Sequence, residues 1–419
     1  MSASPLLHYV SLDGAGGVEL QFVEFLHAAA RLTPLEHAVV ACGHSIHPLV
    51  RDRLNAARVP VDFEKYAGRF KLPKWPAAIR AARQRRLVTR HDAGAVVIWN
   101  RLRDSLDTLA AAGPARCVYW ERGASWFAGE TRAKRVFIDE VQAVLCNSFA
   151  ARRMLELRWG YRGQIRVVSN ALRPSLMPVD AAPRSLADKD IVTLGLVARL
   201  QSIKGVAIAI HAVALLRERG VPVRLRIAGD GPERDALTAT AARLGLSEHV
   251  VFEGLVADMA GFYRGIDLLV HPALREPFGQ IAVEANAYGI PAIVAGVDGL
   301  VEVIEHGVTG ICVPPRLALA AYAKLGGSDH DLPPFVYDPA LDTIATPKIM
   351  DPGDLAAAIE GLLADPDRYR RMSENAIQAV SARFAFDVHV TAALEAITGF
   401  VESGSLDNGS PASQTETRA

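Results

Sequence analysis

Two carboxylates, Glu276 and Glu284, bracket a stretch running from Arg275 to Ala295, REPFGQIAVEANAYGIPAIVA. Carboxylates accept from hydroxyls, so a pair at this spacing suits a ligand rich in hydroxyls at both ends. Pro277 is a helix starter. Gln280–Tyr288 holds good helix formers with an apolar side at Ile281, Val283, Ala285 and Tyr288, and Gly289 followed by Pro291 is a stop. Free amides and partial positive charge at the helix start, beside Gly279–Gln280, favour an anionic group such as a diphosphate. Eight helical steps span roughly 12 Å, the reach of a diphosphate carrying a sugar at one end and a ribose at the other. The alternative is a solvated surface helix with two unrelated acids.

The elements that must position these groups fit comfortably into two domains, since 419 residues are long for one core. Leu6–Leu12 reads as a strand, Asp13–Gly17 as a glycine turn and Val18–Arg31 as a helix, the first half of a βαβ unit. The turn is no dinucleotide fingerprint, because Glu19 stands where the third glycine is required. Ala95–Asn100, Arg116–Trp120 and Ala143–Cys146 read as buried parallel strands, whose ends bind ligands in open α/β sheets. The loop Trp120–Gly123 therefore carries Glu121 and Arg122 toward a ligand. Arg122 suits a phosphate or an acidic group, and Glu121 suits either Arg122 or a sugar hydroxyl. Three prolines mark 174–190 as a linker, and Ile191–Val197 opens a second domain with Arg199 and Lys204 in its first loop. Later strands are Val223–Ala228, Val250–Phe252 and Ile266–Val270. The last ends at His271, read as a structural residue of its turn.

Charge balances at 46 basic against 46 acidic residues, so no global bias points to nucleic acid. Cys42, Cys117, Cys146 and Cys312 stand singly beside apolar runs, as reduced core thiols do. No apolar run approaches the roughly 20 residues of a membrane span, and Leu6–Leu12 is too short for a signal peptide. His44 and His47 lack companions for a metal site. The stretch 65–90 holds nine cations (Lys65, Arg69, Lys71, Lys74, Arg80, Arg83, Arg85, Arg86 and Arg90), no acid, and interleaved aromatic and aliphatic residues. It reads either as a segment that lies on an anionic membrane or as a solvated basic helix.

The stretch from Arg275 resembles the donor-site signature of retaining nucleotide-sugar glycosyltransferases with a GT-B fold, specifically glycosyltransferase family four. The likeness extends to Gly14–Glu19, Asn147–Ser148, Val197–Gly205, Gly229–Arg234, Phe252–Val256 and Gly299–Pro315. It is dense in the C-terminal half and patchy in the N-terminal half. The resemblance implies two Rossmann-like domains facing a cleft. These are an acceptor-side domain over 1–175 braced by a helix at 384–402, a linker at 176–190, and a donor domain at 191–383. An excursion at 316–349 stands where the family usually passes almost directly to the next helix, and 403–419 is expected to be disordered. The implied activity is sugar transfer from a nucleotide-diphosphate donor to a glycan, lipid-linked or small-molecule acceptor. Arg199 and Lys204 clamp the diphosphate and Glu276 orients the donor sugar. Gly16, Gly17, Gly254, Phe278, Gly279, Gln280 and Glu284 bind the donor, and Glu302 lies beside its sugar. Glu121, Arg122 and Asn147 are possible acceptor or sugar contacts, although Arg122 replaces a histidine frequent in the family. Without a metal-binding D-x-D beside a donor strand, no cation or other cofactor is expected. The expected location is cytoplasmic, peripheral on the inner face of a membrane. A sugar-nucleotide epimerase, a glycan phosphorylase and a non-catalytic nucleotide-binding protein share such a scaffold and remain alternatives.

Overall fold

The computed structural model describes residues 4–407 except 74, 103, 104, 128, 188, 329 and 331. The chain divides into two compact units, Met1–Arg173 with Phe386–Ala419, and Pro174–Ala385. Each is built on a wholly parallel sheet, because short apolar strands separated by helices can pair only through crossovers.

In the N-terminal unit the sheet order is Val61–Phe63, His37–Ala41, Leu6–Val10, Ala95–Trp99, Cys117–Glu121, Ala143–Cys146, Gln164–Val167. Helix Gly17–Leu32 covers one face with Phe22 and Phe25, which meet Trp99 edge-on. The C-terminal helix Phe386–Ser403 joins the same core through Val390, Ala393, Leu394 and Ile397. An 18-residue window within Pro366–Ser403 is apolar enough to cross a membrane by length and composition, yet 56% of it is buried inside the protein. Two histidines sit in this core. Trp99 Nε1 donates to His8 Nδ1 at 3.1 Å, so His8 carries its proton on Nε2 and donates it to His37 Nδ1 at 2.9 Å. Burial, with His37 adding, holds His8 well below its ordinary pKa, and burial takes His37 down to about 4.

In the C-terminal unit the order is Val250–Gly254, Val223–Ala228, Val192–Val197, Leu268–His271, Ala292–Ala295, Gly310–Val313. The expected linker is part of this unit's packing. Arg184 donates to the carbonyls of Tyr288 (2.9 Å), Ile266 (3.0 Å) and Tyr263 (3.1 Å), which collects backbone acceptors that element ends leave unsatisfied. The excursion at 316–349 is folded. Leu317–Ala318 pairs antiparallel with Lys348–Ile349 at its base, followed by a short helix Ala321–Lys324 and a hairpin of Val336–Asp338 with Thr343–Ala345.

The expected disordered tail is corrected for its first residues. Gln164 Nε2 donates to Gly404 O at 2.6 Å, Leu406 N donates to Gln164 Oε1 at 2.9 Å, and Leu406 is buried. Residues 408–419 lie outside the described residues.

Candidate active site

In the C-terminal unit the sheet order reverses between Val192–Val197 and Leu268–His271, and the crevice beyond the ends of two such strands is where an open α/β sheet binds its ligand. Arg199 and Lys204 leave the first strand; His271 and Glu276 belong to the end of the second. Gly205 lets the two loops press together. Its φ is +66°, and a Cβ there would stand 2.0 Å from Pro272 O. Lys204 Nζ consequently reaches Glu276 Oε2 at 2.7 Å, and His271 Nε2 meets the same oxygen at 3.1 Å.

Burial opposes charge on Glu276, but Lys204 and His271 outweigh it and hold the carboxyl well below the usual range. Burial lowers the pKa of His271 despite the pull of Glu276. Both partners take Oε2, and no described residue bonds Oε1 of Glu276. An anionic carboxylate with one committed and one open oxygen can accept from a ligand hydroxyl. The Lys204 side chain is only 20% exposed and already ion-paired. Arg199, by contrast, is exposed and forms no ion pair among the described residues.

Helix Gln280–Ala287 starts after Gly279, whose φ of +106° suits glycine alone, and no side chain caps it. Glu276 precedes the helix, so helical rise separates only Gln280 from Glu284, roughly 6 Å rather than 12. Nor is the helix amphipathic: Ala282–Ala287 are all buried, Glu284 included at 3% exposure. Tyr263 Oη donates to Glu284 Oε2 at 2.8 Å, and its ring stacks on Tyr288. Phe278 is buried edge-on against Phe384, which makes its side chain a core group. Gly254, at φ +70°, accepts from Gly229 N at 2.7 Å, and beside it Leu255 is 84% exposed.

Sequence reasoning missed Asp298. It is fully buried at φ +48° and accepts from Glu276 N at 2.9 Å and from Tyr337 N at 2.7 Å. The available signal was the Asp298-Gly299 pair, since Asp is among the few side chains that tolerate a left-handed backbone.

The N-terminal unit holds a second set of groups at its own strand ends. Gly16 caps helix Gly17–Leu32 with no side-chain bond, and both glycines are exposed. Asp13, also missed, accepts from His44 N and Ser45 N at 3.1 Å each. Glu121 does not pair with Arg122, nor is it open to a sugar. Its carboxylate is buried and accepts from Tyr119 Oη (2.6 Å), Gly123 N (2.6 Å), Ser125 N (3.0 Å) and Ser125 Oγ (3.1 Å). Strand alternation explains this, because Tyr119 and Glu121 share one face while Trp120 and Arg122 take the other. Arg122 lies 5.3 Å from the Trp99 and Trp120 rings and donates to Asn170 Oδ1 at 2.6 Å. Burial pushes its pKa down to about 9, with Glu19 pulling upward. Asn147 is buried, and its Oδ1 has no bonded partner.

The basic stretch forms a hairpin of Tyr66–Ala67 with Phe70–Lys71 and a helix Ala77–Arg90. Asp62, just upstream, pairs with Arg83 and Arg90, so those two cations are not free. Trp75 (83%) and Phe70 (69%) are exposed, and Arg69, Lys71, Arg85 and Arg86 are exposed around them. Lys74 lies outside the described residues. Among the described residues no three His, Cys, Asp or Glu side chains are grouped as metal ligands; His44 Nδ1 meets Tyr66 Oη at 3.2 Å.

Residues 181–325 match the family model described as glycosyl transferases group 1. An uncharacterized glycosyltransferase of Methanocaldococcus jannaschii is 35% identical over 163 residues, 36% of this chain and 42% of that protein. A D-inositol 3-phosphate glycosyltransferase of Thermobispora bispora is 28% identical over 283 residues, 63% of this chain and 58% of that one. The chain thus spans about half the length of the curated relatives it matches. The crystal structure of Anabaena HepE with UDP superposes with a TM-score of 0.73 at 21% identity, covering 94% of this chain and 100% of that one. A glycosyltransferase from Rickettsia africae gives 0.75 at 14% identity, covering 96% and 100%. The fold is GT-B.

Proposed function

We propose that this protein is a family-four glycosyltransferase that moves a sugar from a nucleotide-diphosphate donor to a glycan, lipid-linked or small-molecule acceptor with retention at the anomeric carbon. The observation that carries this reading is the Lys204–Glu276–His271 cluster at the sheet's reversal point, with unpaired Arg199 in the same loop as Lys204. An oxocarbenium-like transition state gives up a diphosphate whose charge grows as the bond breaks, and fixed cations and helix amides stabilise that charge. Arg199 forks onto phosphate oxygens, while Lys204, held by Glu276, is a point charge beside them. Glu276 Oε1 accepts from a hydroxyl of the transferred sugar, and Glu284 accepts from the ribose. Arg199 and Lys204 do this without a metal ion, so excess chelator is expected to change the rate less than about twofold; complete loss restored by magnesium would overturn that part.

The occurrence of HepE with bound UDP among similar structures supports the donor class. The experiment is a thermal-shift screen of nucleotide sugars, followed by NMR assignment of the product anomer; binding raises the melting temperature by mass action. Inverted product refutes the stereochemistry, and isomerised donor without acceptor makes the protein an epimerase.

For location we propose the cytoplasmic face of an anionic membrane, reached through Trp75, Phe70, Arg69, Lys71, Arg85 and Arg86, with a role in surface glycan or glycolipid assembly. Exposed aromatic groups among unpaired cations suit that interface. Anionic liposomes are expected to sediment the protein at low salt only, and replacing Arg85, Arg86 and Trp75 by Ser to abolish this. Sedimentation indifferent to salt and to the substitutions defeats it.

A further inference from the structure

The folded excursion at 316–349 touches both loops of the candidate site. Ser202, two residues before Lys204, places its Oγ 2.8 Å from His330 O and 2.5 Å from buried Glu233 Oε1, with one hydroxyl proton shared between the two acceptors. On the other side Tyr337 joins the Asp298 loop by two bonds, and Asp298 in turn binds Glu276. Its N–H donates to Asp298 Oδ1 at 2.7 Å, its carbonyl accepts from Asp298 N at 3.1 Å, and Asp298 Oδ2 accepts the Glu276 N–H at 2.9 Å. Gly299 N closes the ring onto Glu276 O at 3.2 Å. Gly299 can do so because a Cβ there would stand 2.3 Å from Pro277 O.

We infer that the excursion is a strap that fixes the Lys204 and Glu276 loops against each other, and that Asp298 is the positioning residue through which it holds Glu276. The chemistry requires an ionised acceptor. Two backbone N–H groups converge on one buried carboxylate, each bond charge-assisted, and burial lowers the pKa of nearby Arg275 while Asp298 and Glu276 oppose that shift. An amide in that place offers one acceptor oxygen and an NH₂ group, so one N–H loses its partner. The left-handed backbone at Asp298 is also accessible to glycine, which separates the carboxylate's role from that of the turn.

The significance for catalysis rests on the function proposed above, but the positioning itself is measurable without any donor. The experiment is residue-resolved hydrogen exchange on the full chain for wild type, Asp298→Gly, Asp298→Asn and Tyr337→Phe. Losing these charge-assisted bonds is expected to speed exchange by about tenfold or more at both the Glu276 and Tyr337 amides in Asp298→Gly, and at one of the two in Asp298→Asn. Tyr337→Phe keeps the backbone bonds and is expected to leave the Glu276 amide unchanged. Unchanged exchange at Glu276 in a folded Asp298→Gly variant overturns the inference, as does acceleration spread evenly over the unit, which marks plain destabilisation. A second readout uses UDP binding and turnover with the donor found by the screen. Asp298→Asn is expected to lower kcat about tenfold while UDP affinity stays within about twofold, because the strap orients the reacting end. If wild type binds no nucleotide, the proposed function fails and the exchange result still decides the strap.

Discussion

Lys204 and Glu276 in the C-terminal unit meet at 2.7 Å, whereas Arg122 in the N-terminal unit lies beside a pair of indole rings, 5.3 Å from each, with no carboxylate in contact. Each is a cation in a loop at a strand end. The first is neutralised by a partner that a substrate can share. The second is held by ring faces and one amide, while the acid next to it in sequence, Glu121, is consumed by four donors on the opposite face of the sheet. A cation and a glutamate at strand ends therefore make a pair in one case and not in the other. What decides is whether loop packing, here at Gly205, brings two strand ends together.

The largest effect that sharpens this contrast concerns acid. His8, His37 and His389 are buried and neutral in the N-terminal unit; burial, with Arg122 adding, takes His389 down to about 3. A histidine with a lowered folded pKa binds fewer protons than the unfolded chain below about pH 6.5. Each therefore withdraws up to about 1.4 kcal/mol per pH unit as pH falls from about 6.5 toward its folded value. Protonating His8 would also set a second N–H against Trp99 Nε1. In the C-terminal unit His271 shifts the same way but is opposed by Glu276, and the depressed Glu276 gives up its contribution only below its unfolded value near 4.5. Hydrogen exchange at pH 7.5 and pH 5 is expected to show the N-terminal unit loosening first. Equal loosening breaks the comparison.

Next in size is turnover. Lys204→Ala is expected to lower kcat by about 10²-fold, the scale of removing one preorganised electrostatic donor. A folded variant with near wild-type rate would show that the pair is structural.

Stability separates the two cations more finely. Lys204→Met leaves Glu276 charged and short of its main partner, at a cost of about 1–2 kcal/mol, discounted because the pair is partly exposed. Arg122→Met removes a cation that has no carboxylate in contact, only Glu19 acting at a distance, and is expected to change stability by less than about 1 kcal/mol. Denaturant midpoints measure both, and the reverse ranking defeats the account. Smallest is the split between the glutamates. Glu284→Gln is expected to weaken UDP binding about tenfold, whereas Glu276→Gln leaves UDP affinity nearly unchanged and lowers turnover, by calorimetry and initial rates.

The parallel sheets were legible because apolar runs such as AVVIW and AVLC sit between helical stretches at lengths that only crossovers satisfy. Arg199, Lys204 and Glu276 were legible by residue type and loop position. Their contact was not, because it depends on Gly205 and Pro272 approaching across 67 residues of chain. The side on which Glu121 points followed from alternation along its strand, a signal present in YWER and not used. Asp298 gave only a turn signal, since its partners at 276 and 337 lie far off in sequence. The prolines mark the irregular backbone of the linker but not its packing. Arg184 supplies donors that no pattern of prolines reveals.

Leu317–Ala318 and Lys348–Ile349 hold the two ends of the excursion side by side, with Arg316 N donating to Ile349 O at 3.1 Å. Whatever is spliced between them begins and ends at the same place on the unit. The entropy of closing such a loop rises by only about 0.6 kcal/mol per doubling of its length. The base thus makes this position a cassette site, where segments of different length and character can be exchanged during evolution, or by an engineer, without shifting the sheet beneath. Only a segment that returns a backbone N–H to Asp298, as Tyr337 does, would keep the carboxylate fully bonded.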